Sequence, residues 1–362
     1  MSYKVKLLIL ITCTVFGFGI IYLLFNLSEN IIHYKNKFIR RFPQHVAQEI
    51  SQKNLTYNSY YFAGTRKGNI YLGNYTAPLK LMILDSTLQE KVVQTIELKE
   101  KNLPFESPQI RVFNNHFFVF EGIVPYIFKG NVYDWKASLK INSGYYFSQL
   151  EPMDSINMVI RYLTPKSGES LIGTLNLMDT TKVDYEATIL QKQFDGIFDT
   201  DGNLHFNKQL NKIIYVYRYR NEYIVTSPQL HLDYRGNTID TISKAQIRLT
   251  SIKNTKMKTF AEPPLVVNKT SAVDGNLLYV NSNLPGVYES ENIWKIASII
   301  DVYNLTDKTY RSSFPVYHIA GKKMRSMLVS GHFLYALIGE RIACYKLKDP
   351  IHQNKPASNY FP

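Results

Sequence analysis

The sequence has only two cysteines among its 362 residues, Cys13 and Cys344. One lies in an apolar N-terminal run and the other near the C-terminus, so neither a disulfide framework nor a cysteine-based metal site is available. The eight histidines show no metal-ligand spacing, and nucleophile elbows, Walker loops and dinucleotide fingerprints are absent. We therefore expect no metal and no cofactor, and we assign no catalytic residue.

Acidic residues are scarce relative to basic ones: 29 Asp and Glu stand against 42 Lys and Arg, a formal net charge of +13. In residues 1–42, six Lys or Arg residues face only Glu29. The remaining excess is spread without a block of like charges. A basic chain is compatible with nucleic-acid binding, but a basic membrane flank in a lysine-rich sequence explains the same numbers. We expect no nucleic-acid partner.

Only one long hydrophobic run is present, residues 7–25, and it contains no charged residue. At helical rise this run spans about 28 Å, close to the thickness of a bilayer core. No small-x-small cleavage site follows it, which favours an uncleaved transmembrane helix over the alternative, a cleaved signal peptide. Lys4 and Lys6 favour a cytoplasmic N-terminus. The large domain is then expected on the periplasmic or extracellular side of the cytoplasmic membrane.

Composition divides the chain into five parts. The predicted parts are a short tail (1–6), the transmembrane helix (7–25), a stalk (26–44), a repeat domain (45–348) and a flexible tail (349–362). The stalk is expected to be helical because apolar residues recur at rough helical spacing over 27–52, with an interruption at Pro43.

The repeat domain is built on a pattern that recurs about six times. A short turn precedes a β-rich run, and after a loop a second β-rich run ends near an aspartate. Residues 69–74 and 81–85 form one such pair, and 276–280 and 299–303 form another. A further alternating run follows, which gives four strands per repeat. Repeats of short strands predict an all-β fold, a six-bladed β-propeller behind one N-terminal transmembrane helix.

The blades are predicted at 59–101, 105–142, 145–192, 196–253, 264–320 and 322–348. The last is one strand short, and the run from Val46 to Tyr57 could complete it by pairing the two ends of the ring, which removes exposed sheet edges. Two alternatives stay open. A seventh blade has room within 190–265, and an open β-sandwich pair is possible but predicts no sixfold regularity.

The repeat phrases resemble the six-bladed propeller superfamily with NHL-type and related repeats. The likeness rests on Gly275–Val280 and Ile300–Leu305, and it covers roughly residues 45–348. The phrase Ile70–Leu79 also resembles uncharacterised membrane-anchored propellers of Bacteroidota-type bacteria. The resemblance implies the fold and an envelope location. It implies no catalytic residues, because the superfamily hosts binding modules and enzymes alike.

The loops between the second and third strands of propeller blades gather around one mouth of the central channel. A mouth rich in arginine, asparagine and aromatic residues suits an anionic ligand, a sugar-like ligand or a peptide. The candidate ligand-binding residues are Asn74, Glu121, Arg161, Arg218, Asn281 and Trp294. Aspartates that end the third strands are expected to cap the following turns; they are Asp85, Asp134, Asp179, Asp233 and Asp301.

With no convergent nucleophile and base, the sequence favours a binding or scaffold module for a protein, a peptide or an envelope glycan. The alternative is a propeller enzyme, a hydrolase, lyase or oxidoreductase, with its site at the channel mouth. Convergence of two or more of five side chains would favour the enzyme; these are His116, Glu121, Arg161, His205 and His332.

Overall fold

The structure is a computed structural model, and it describes residues 3–33, 36–100, 104–142, 144–179, 182–251 and 258–348. About half of the chain is strand (50%) and 9% is helix. The predicted C-terminal tail, 349–362, lies outside the described residues.

Helix α1 (Tyr3–His33) begins the described chain. Its segment Tyr3–Leu24 has a mean hydropathy of 2.5, is not buried by the rest of the protein, and is long and apolar enough to cross a membrane. The helix ends at His33, and residues 36–43, the tether segment, form neither helix nor strand. The expected helix over 27–52 was therefore wrong from Asn36 onward. The reason is packing: Phe38 and Arg40 are buried against the propeller, while their neighbours are exposed.

The strands follow the predicted blades in chain order. The first strand, β1 (Ala47–Asn54), precedes blade 1, which holds β2 (Tyr60–Arg66), β3 (Asn69–Asn74), β4 (Lys80–Leu84) and β5 (Lys91–Thr95). After β6 (Glu97–Leu98), blade 2 holds β7 (Gln109–Phe113), β8 (His116–Glu121), β9 (Tyr126–Asn131) and β10 (Lys136–Asn142). Blade 3 holds β11 (Phe147–Pro152), β12 (Asn157–Leu163), β13 (Ser170–Asn176) and β14 (Asp184–Glu186).

Blade 4 holds β15 (Gly202–Asn207), β16 (Lys212–Tyr217), β17 (Glu222–Thr226) and β18 (Leu232–Asn237), and a separate hairpin, β19 (Leu249–Ser251) with β20 (Lys258–Phe260), follows it. Blade 5 holds β21 (Asn268–Asp274), β22 (Leu277–Ser282), the short helix α2 (Glu291–Ile296), β23 (Ala297–Asn304) and β24 (Thr309–Tyr317). Blade 6 holds β25 (Met324–Ser330), β26 (Phe333–Ile338) and β27 (Arg341–Leu347).

The six sheets form a closed six-bladed propeller. Strand β1 completes blade 6 by pairing antiparallel with β27, from Ala47 opposite Leu347 to Asn54 opposite Arg341. The prediction that the N-terminal run supplies the missing strand is confirmed. The two alternatives are not: within the described residues, 190–265 holds blade 4 and the β19–β20 hairpin, and the sheets surround an axis.

Apolar side chains fill the wedges between neighbouring blades. Between blades 1 and 2, for example, Tyr71, Leu81, Ile110, Phe117 and Phe128 form one buried cluster. Strands with alternating or continuous apolar residues supply these faces, since the middle strands of a blade are covered on both sides. Each wedge fixes the angle between two sheets, so the six together hold the innermost strands around a central channel.

The two faces of the ring carry different loops. One face, the mouth face, carries the loops between the second and third strands of each blade and the connections between blades. The opposite face carries the other hairpin turns. In the tether segment, the carbonyl oxygen of Phe38 accepts a hydrogen bond of 3.1 Å from the amide of Val287, in the loop between β22 and β23. The chain therefore joins the propeller at the mouth face.

The β1–β27 register predicts that an engineered disulfide can link the two strands that close the ring. Ser51 lies opposite Cys344, a buried free thiol, and opposed residues of an antiparallel pair meet the Cα spacing that a disulfide requires. We expect Ser51→Cys to form this bond under oxidation. Because it closes a loop of nearly the whole domain, it should add about 3–5 kcal/mol to the free energy of unfolding.

Thermal or denaturant unfolding of the oxidised and reduced variant measures this gain. The matched control is Ser51→Cys combined with Cys344→Ala, which cannot form the bond and should show no difference between the two redox states. Failure of the Ser51→Cys variant to form the bond under oxidation would contradict the pairing, and equal stability of its oxidised and reduced forms would contradict the predicted gain.

Candidate functional site

The central channel forms a cavity with a volume of about 1200 Å³. The innermost strand of every blade contributes to its wall. Gln109, Gln149, Asn203, Ser271 and Ser326 give the wall amide and hydroxyl groups. The side-chain nitrogen of Asn203 and the hydroxyl of Ser326 are buried and have no hydrogen-bond partner among the described residues. The wall thus presents polar groups that a bound molecule or solvent can satisfy.

Positive charge dominates the channel. Its lining includes seven basic residues, Arg66, Lys67, Arg111, Lys208, Arg218, Lys269 and Arg325, and two acidic ones, Glu151 and Asp274. Arg111 is neutralised by Glu151, whose carboxylate accepts a hydrogen bond of 2.9 Å from Nε. Close approach of several cations without matching carboxylates makes the channel attractive to anions.

Lys269 and Arg325 lie near the mouth-face end of the channel, and neither forms an ion pair or hydrogen bond within the described part of the chain. Burial lowers the pKa of both groups, and the nearby charge of Lys323 lowers that of Lys269 further. A cation that is partly desolvated and has no counter-ion gains free energy when an anion arrives, because the anion replaces hydration that was already lost.

His205 lies midway along the channel wall on β15. Its Nε2 is 2.7 Å from the hydroxyl of Ser271. Burial, with a smaller contribution from the positive charge of Arg111, lowers the pKa of His205 to about 4. The imidazole is therefore neutral at neutral pH and adds a hydrogen-bonding group to the channel without adding charge.

Three of the predicted ligand residues are buried, and two of them hold the backbone of a nearby turn or connection. Asn74 caps its own turn, accepting hydrogen bonds from the amide and hydroxyl of Thr76 at 2.9 and 2.8 Å. The carboxylate of Glu121 accepts from the amides of Glu106 and Ser107 at 2.9 and 3.0 Å and so holds the connection into blade 2. Asn281 lies fully buried on β22, where neither atom of its amide group has a partner among the described residues.

Two predicted residues are brought together by a shared carboxylate. Arg161 binds one oxygen of Asp201 at 2.5 Å, and Arg218 binds the other at 2.7 Å. Arg161 also lies 3.4 Å from the hydroxyl of Tyr215. Of this pair only Arg218 lines the channel. Asp201, which sequence reasoning did not single out, joins blades 3 and 4 at the mouth face.

The sixth predicted residue, Trp294, lies on α2 in the long loop between β22 and β23. Its indole N–H donates to Glu289 at 2.8 Å, and the guanidinium of Arg40 lies 5.3 Å from its ring centre. Trp294 also lines a second cavity of about 320 Å³. This Trp294 cavity meets the channel at Lys269, which lines both.

Arg40 of the tether segment is the centre of a buried ion cluster that the sequence did not reveal. Its Nε and Nη1 bind Asp301 and Glu289 at 2.7 Å each, and Nη2 donates to Ser282 at 2.8 Å. Burial disfavours the charged guanidinium, but the two carboxylates outweigh burial and raise the pKa of Arg40. The cluster ties the tether segment to the loop that carries Trp294.

The predicted turn-capping role of the aspartates holds at two positions and is wrong at two. Asp85 accepts from the amide of Glu90 at 2.9 Å, and Asp134 accepts from Lys136 at 3.2 Å. Asp233 instead pairs with Lys212 across the sheet at 2.6 Å, and Asp301 lies in mid-strand facing Arg40. The sequence motif alone does not distinguish an aspartate that caps a turn from an aspartate that binds an arginine distant in sequence.

The five side chains proposed as an enzyme's cluster do not share one place. His116 and Glu121 lie at the two ends of β8, about 17 Å apart for five strand residues. His205 lines the channel, and His332 lies in a turn on the opposite face. In the part of the chain that the structure describes, no group of three His, Cys, Asp or Glu residues could hold a metal ion.

No family model and no curated protein matches the sequence. Among solved structures, a member of the DUF4221 family from Bacteroides vulgatus is 14% identical, with 87% of this chain and 99% of that chain covered and a TM-score of 0.48. A putative exported protein from Bacteroides fragilis is 9% identical over 86% of this chain and 95% of that one, with a TM-score of 0.46.

The extracellular domain of a putative one-component system from B. thetaiotaomicron is 10% identical, covering 80% of this chain and 33% of that chain, with a TM-score of 0.41. At sequence identities this low, the likeness to these solved structures concerns the fold alone. The expected six-bladed arrangement is confirmed, and the resemblance to NHL-type repeats stays a prediction.

The Arg40 cluster predicts a large effect of a single substitution. Arg40→Met leaves the carboxylates of Asp301 and Glu289 buried without a counter-ion, which should cost about 3–5 kcal/mol of unfolding free energy. The matched control is Arg41→Met, because Arg41 is exposed and should lose less than about 1 kcal/mol. Urea unfolding followed by tryptophan fluorescence measures both. Equal losses in the two variants would show that the cluster does not hold the tether segment.

The neutral state of His205 predicts a pH dependence of stability. Its folded pKa is lower than that of an unfolded histidine, so the unfolded chain takes up a proton between pH 6.5 and 4 that the folded chain does not. Stability is fully present above pH 6.5 and falls below it. Relative to His205→Asn, the wild-type protein should lose about 2 kcal/mol between neutral pH and pH 5. Parallel stability curves for the two proteins across this range would contradict the assignment.

Proposed function

We propose that this protein is a membrane-anchored binding module whose propeller lies outside the cytoplasm and whose central channel binds an acidic oligosaccharide of the cell envelope. The apolar helix α1 supports the anchor, since it is long enough to cross a bilayer. Lys4 and Lys6 before the helix support the orientation, because short basic flanks are retained in the cytoplasm.

The observation that carries the proposed ligand is the pair of unpaired cations, Lys269 and Arg325, in a channel that has seven basic and two acidic lining residues. Their partial desolvation favours an anionic partner over a neutral one. The side-chain amide of Gln109, which lines the channel, suits a hydroxyl-rich molecule. These features together favour an acidic sugar chain over an acidic peptide, whose apolar side chains would find little apolar surface.

A binding function is favoured over the enzyme alternative by the dispersal of the candidate catalytic groups. Nε2 of His205 lies within hydrogen-bond distance of the Ser271 hydroxyl, the contact that a base makes with a nucleophile. No carboxylate of the described residues binds the imidazole, however, and its pKa of about 4 makes it a weak base.

Titration calorimetry on the full chain in detergent tests the ligand. An oligogalacturonate should bind, with an affinity that falls as salt rises, and a neutral malto-oligosaccharide of equal length should not. Lys269→Gln combined with Arg325→Gln should weaken binding at least about tenfold, since hydrogen bonds to charged groups contribute about 1.5–3 kcal/mol each.

The matched control replaces two exposed lysines near the opposite face, Lys91→Gln with Lys346→Gln, and should leave binding unchanged. Absence of oligogalacturonate binding, or equal binding by both double variants, would overturn the proposed ligand. Tighter binding of a hexaglutamate peptide than of the oligogalacturonate would replace the sugar chain with an acidic peptide.

A further inference from the structure

The mouth face carries a second feature that the channel does not explain: the Trp294 cavity and the surface around it lie beside the point where the membrane anchor joins the propeller. Phe38 packs against Val267 and Leu284 under the loop between β22 and β23, and Arg40 binds Glu289 of the same loop. From its contacts with this loop, the tether segment therefore leads directly back to α1.

Covalent geometry keeps this face near the bilayer. From His33, the end of α1, to the buried Asn36 there are three peptide steps, which span at most about 11 Å. The apolar segment ends at Leu24, and the nine helical residues after it add about 14 Å. The mouth face at blade 5 is thus held within about 25 Å of the hydrocarbon edge, while the headgroup layer itself fills the first 5–7 Å or so.

The surface beside the anchor has the composition of a membrane-contacting surface. Ile39, Tyr288, Ile296 and Tyr317 are more than half exposed. Tyr317 ends β24, and its strand partner is Ala297, the residue that follows α2, so these apolar side chains surround one loop. Exposed aromatic and aliphatic side chains among lysines are typical of segments that rest in the headgroup layer.

The cavity in this surface is built for a small anion. Lys269, Trp294, Lys295, His318 and Lys323 line its volume of about 320 Å³. Lys295 is paired with Glu291 at 3.5 Å, and Lys269 and Lys323 form no ion pair among the described residues. Nδ1 of His318 lies 3.1 Å from the carbonyl oxygen of Lys295, and its buried Nε2 has no hydrogen-bond partner in the described part of the chain.

We propose that the Trp294 cavity binds the phosphate-bearing headgroup of an anionic phospholipid in the leaflet from which the anchor helix emerges. The lysines bind the phosphate, and the imidazole of His318 is part of the polar wall beside it. Trp294 and the exposed apolar side chains around it lie at the level of the glycerol and upper acyl chain. Lipid binding here fixes the angle between the propeller and the membrane.

Because the full chain is anchored in any case, binding to membranes is not informative, and the readout must report the cavity itself. The chain has two tryptophans. Trp135 is buried in the turn between β9 and β10 on the opposite face, so quenching by a nitroxide carried on lipid headgroups reports Trp294. The protein is compared in nanodiscs of phosphatidylcholine alone and of phosphatidylcholine with phosphatidylglycerol, each with the same trace of nitroxide lipid.

We expect quenching of Trp294 to be about twofold stronger in the anionic discs, as lysines near a charged surface each add about 1 kcal/mol of attraction. Lys295→Gln combined with Lys323→Gln should reduce it to the phosphatidylcholine value, and the control pair Lys91→Gln with Lys346→Gln should not. High salt should abolish the difference in the unmodified protein, a measurement that does not depend on the folding of any variant.

Equal quenching in the two discs would overturn the proposal. So would soluble glycerol phosphate, if it abolishes the extra quenching at concentrations that leave bulk screening unchanged, because the cavity then prefers a free phosphate ester. Lys295 and Lys323 do not line the channel. A protein that binds headgroups and no oligogalacturonate, or the reverse, therefore separates this inference from the proposed channel ligand.

Discussion

The antiparallel pairing of β1 with β27 is the constraint on which the rest of the structure depends. Without it, blade 6 has three strands, β27 presents an unpaired edge, and the chain that leads into blade 1 is no longer held to blade 6. With it, every blade is held between two neighbours, and the innermost strands keep a fixed spacing. The channel and its row of cations exist only because that spacing is fixed, so the candidate site is a property of closure and not of any single blade.

The tether segment adds a second long-range link of a different chemical kind. Arg40 lies 249 residues from Glu289 and 261 from Asp301 in sequence, yet the three form one buried cluster beneath the loop that carries Trp294. A buried arginine with two carboxylates is weak evidence for net stability but good evidence for a specified geometry. Here it fixes where the tether segment meets the propeller, on the face that carries the channel mouth and the Trp294 cavity.

The fold could be predicted from the sequence because propeller blades repeat their turns and apolar runs, and the unfinished last blade pointed to β1. The candidate site was harder to predict from the sequence. Asn74, Glu121 and Asn281 lie at the ends of the second strands as predicted, but they are buried. A polar residue at the end of a strand can bind backbone nearby, as Asn74 and Glu121 do, as readily as a ligand. Lys269 and Arg325 look like ordinary alternating positions of innermost strands, and only the ring shows that one side of those strands faces a channel. No local sequence pattern predicts that Arg40 is the centre of a buried ion cluster.

Ring closure also has a consequence for how the molecule is made. Ala47 pairs with Leu347, so the two partners are far apart along the chain, and the second is synthesised long after the first. While the chain is being synthesised, β1 must stay unpaired until β27 has emerged, and the entropy of closing so long a loop makes this pairing a late event. Strand β1 is rich in polar residues, with the sequence Ala-Gln-Glu-Ile-Ser-Gln-Lys-Asn. While it is unpaired, it therefore exposes little apolar surface that could promote aggregation.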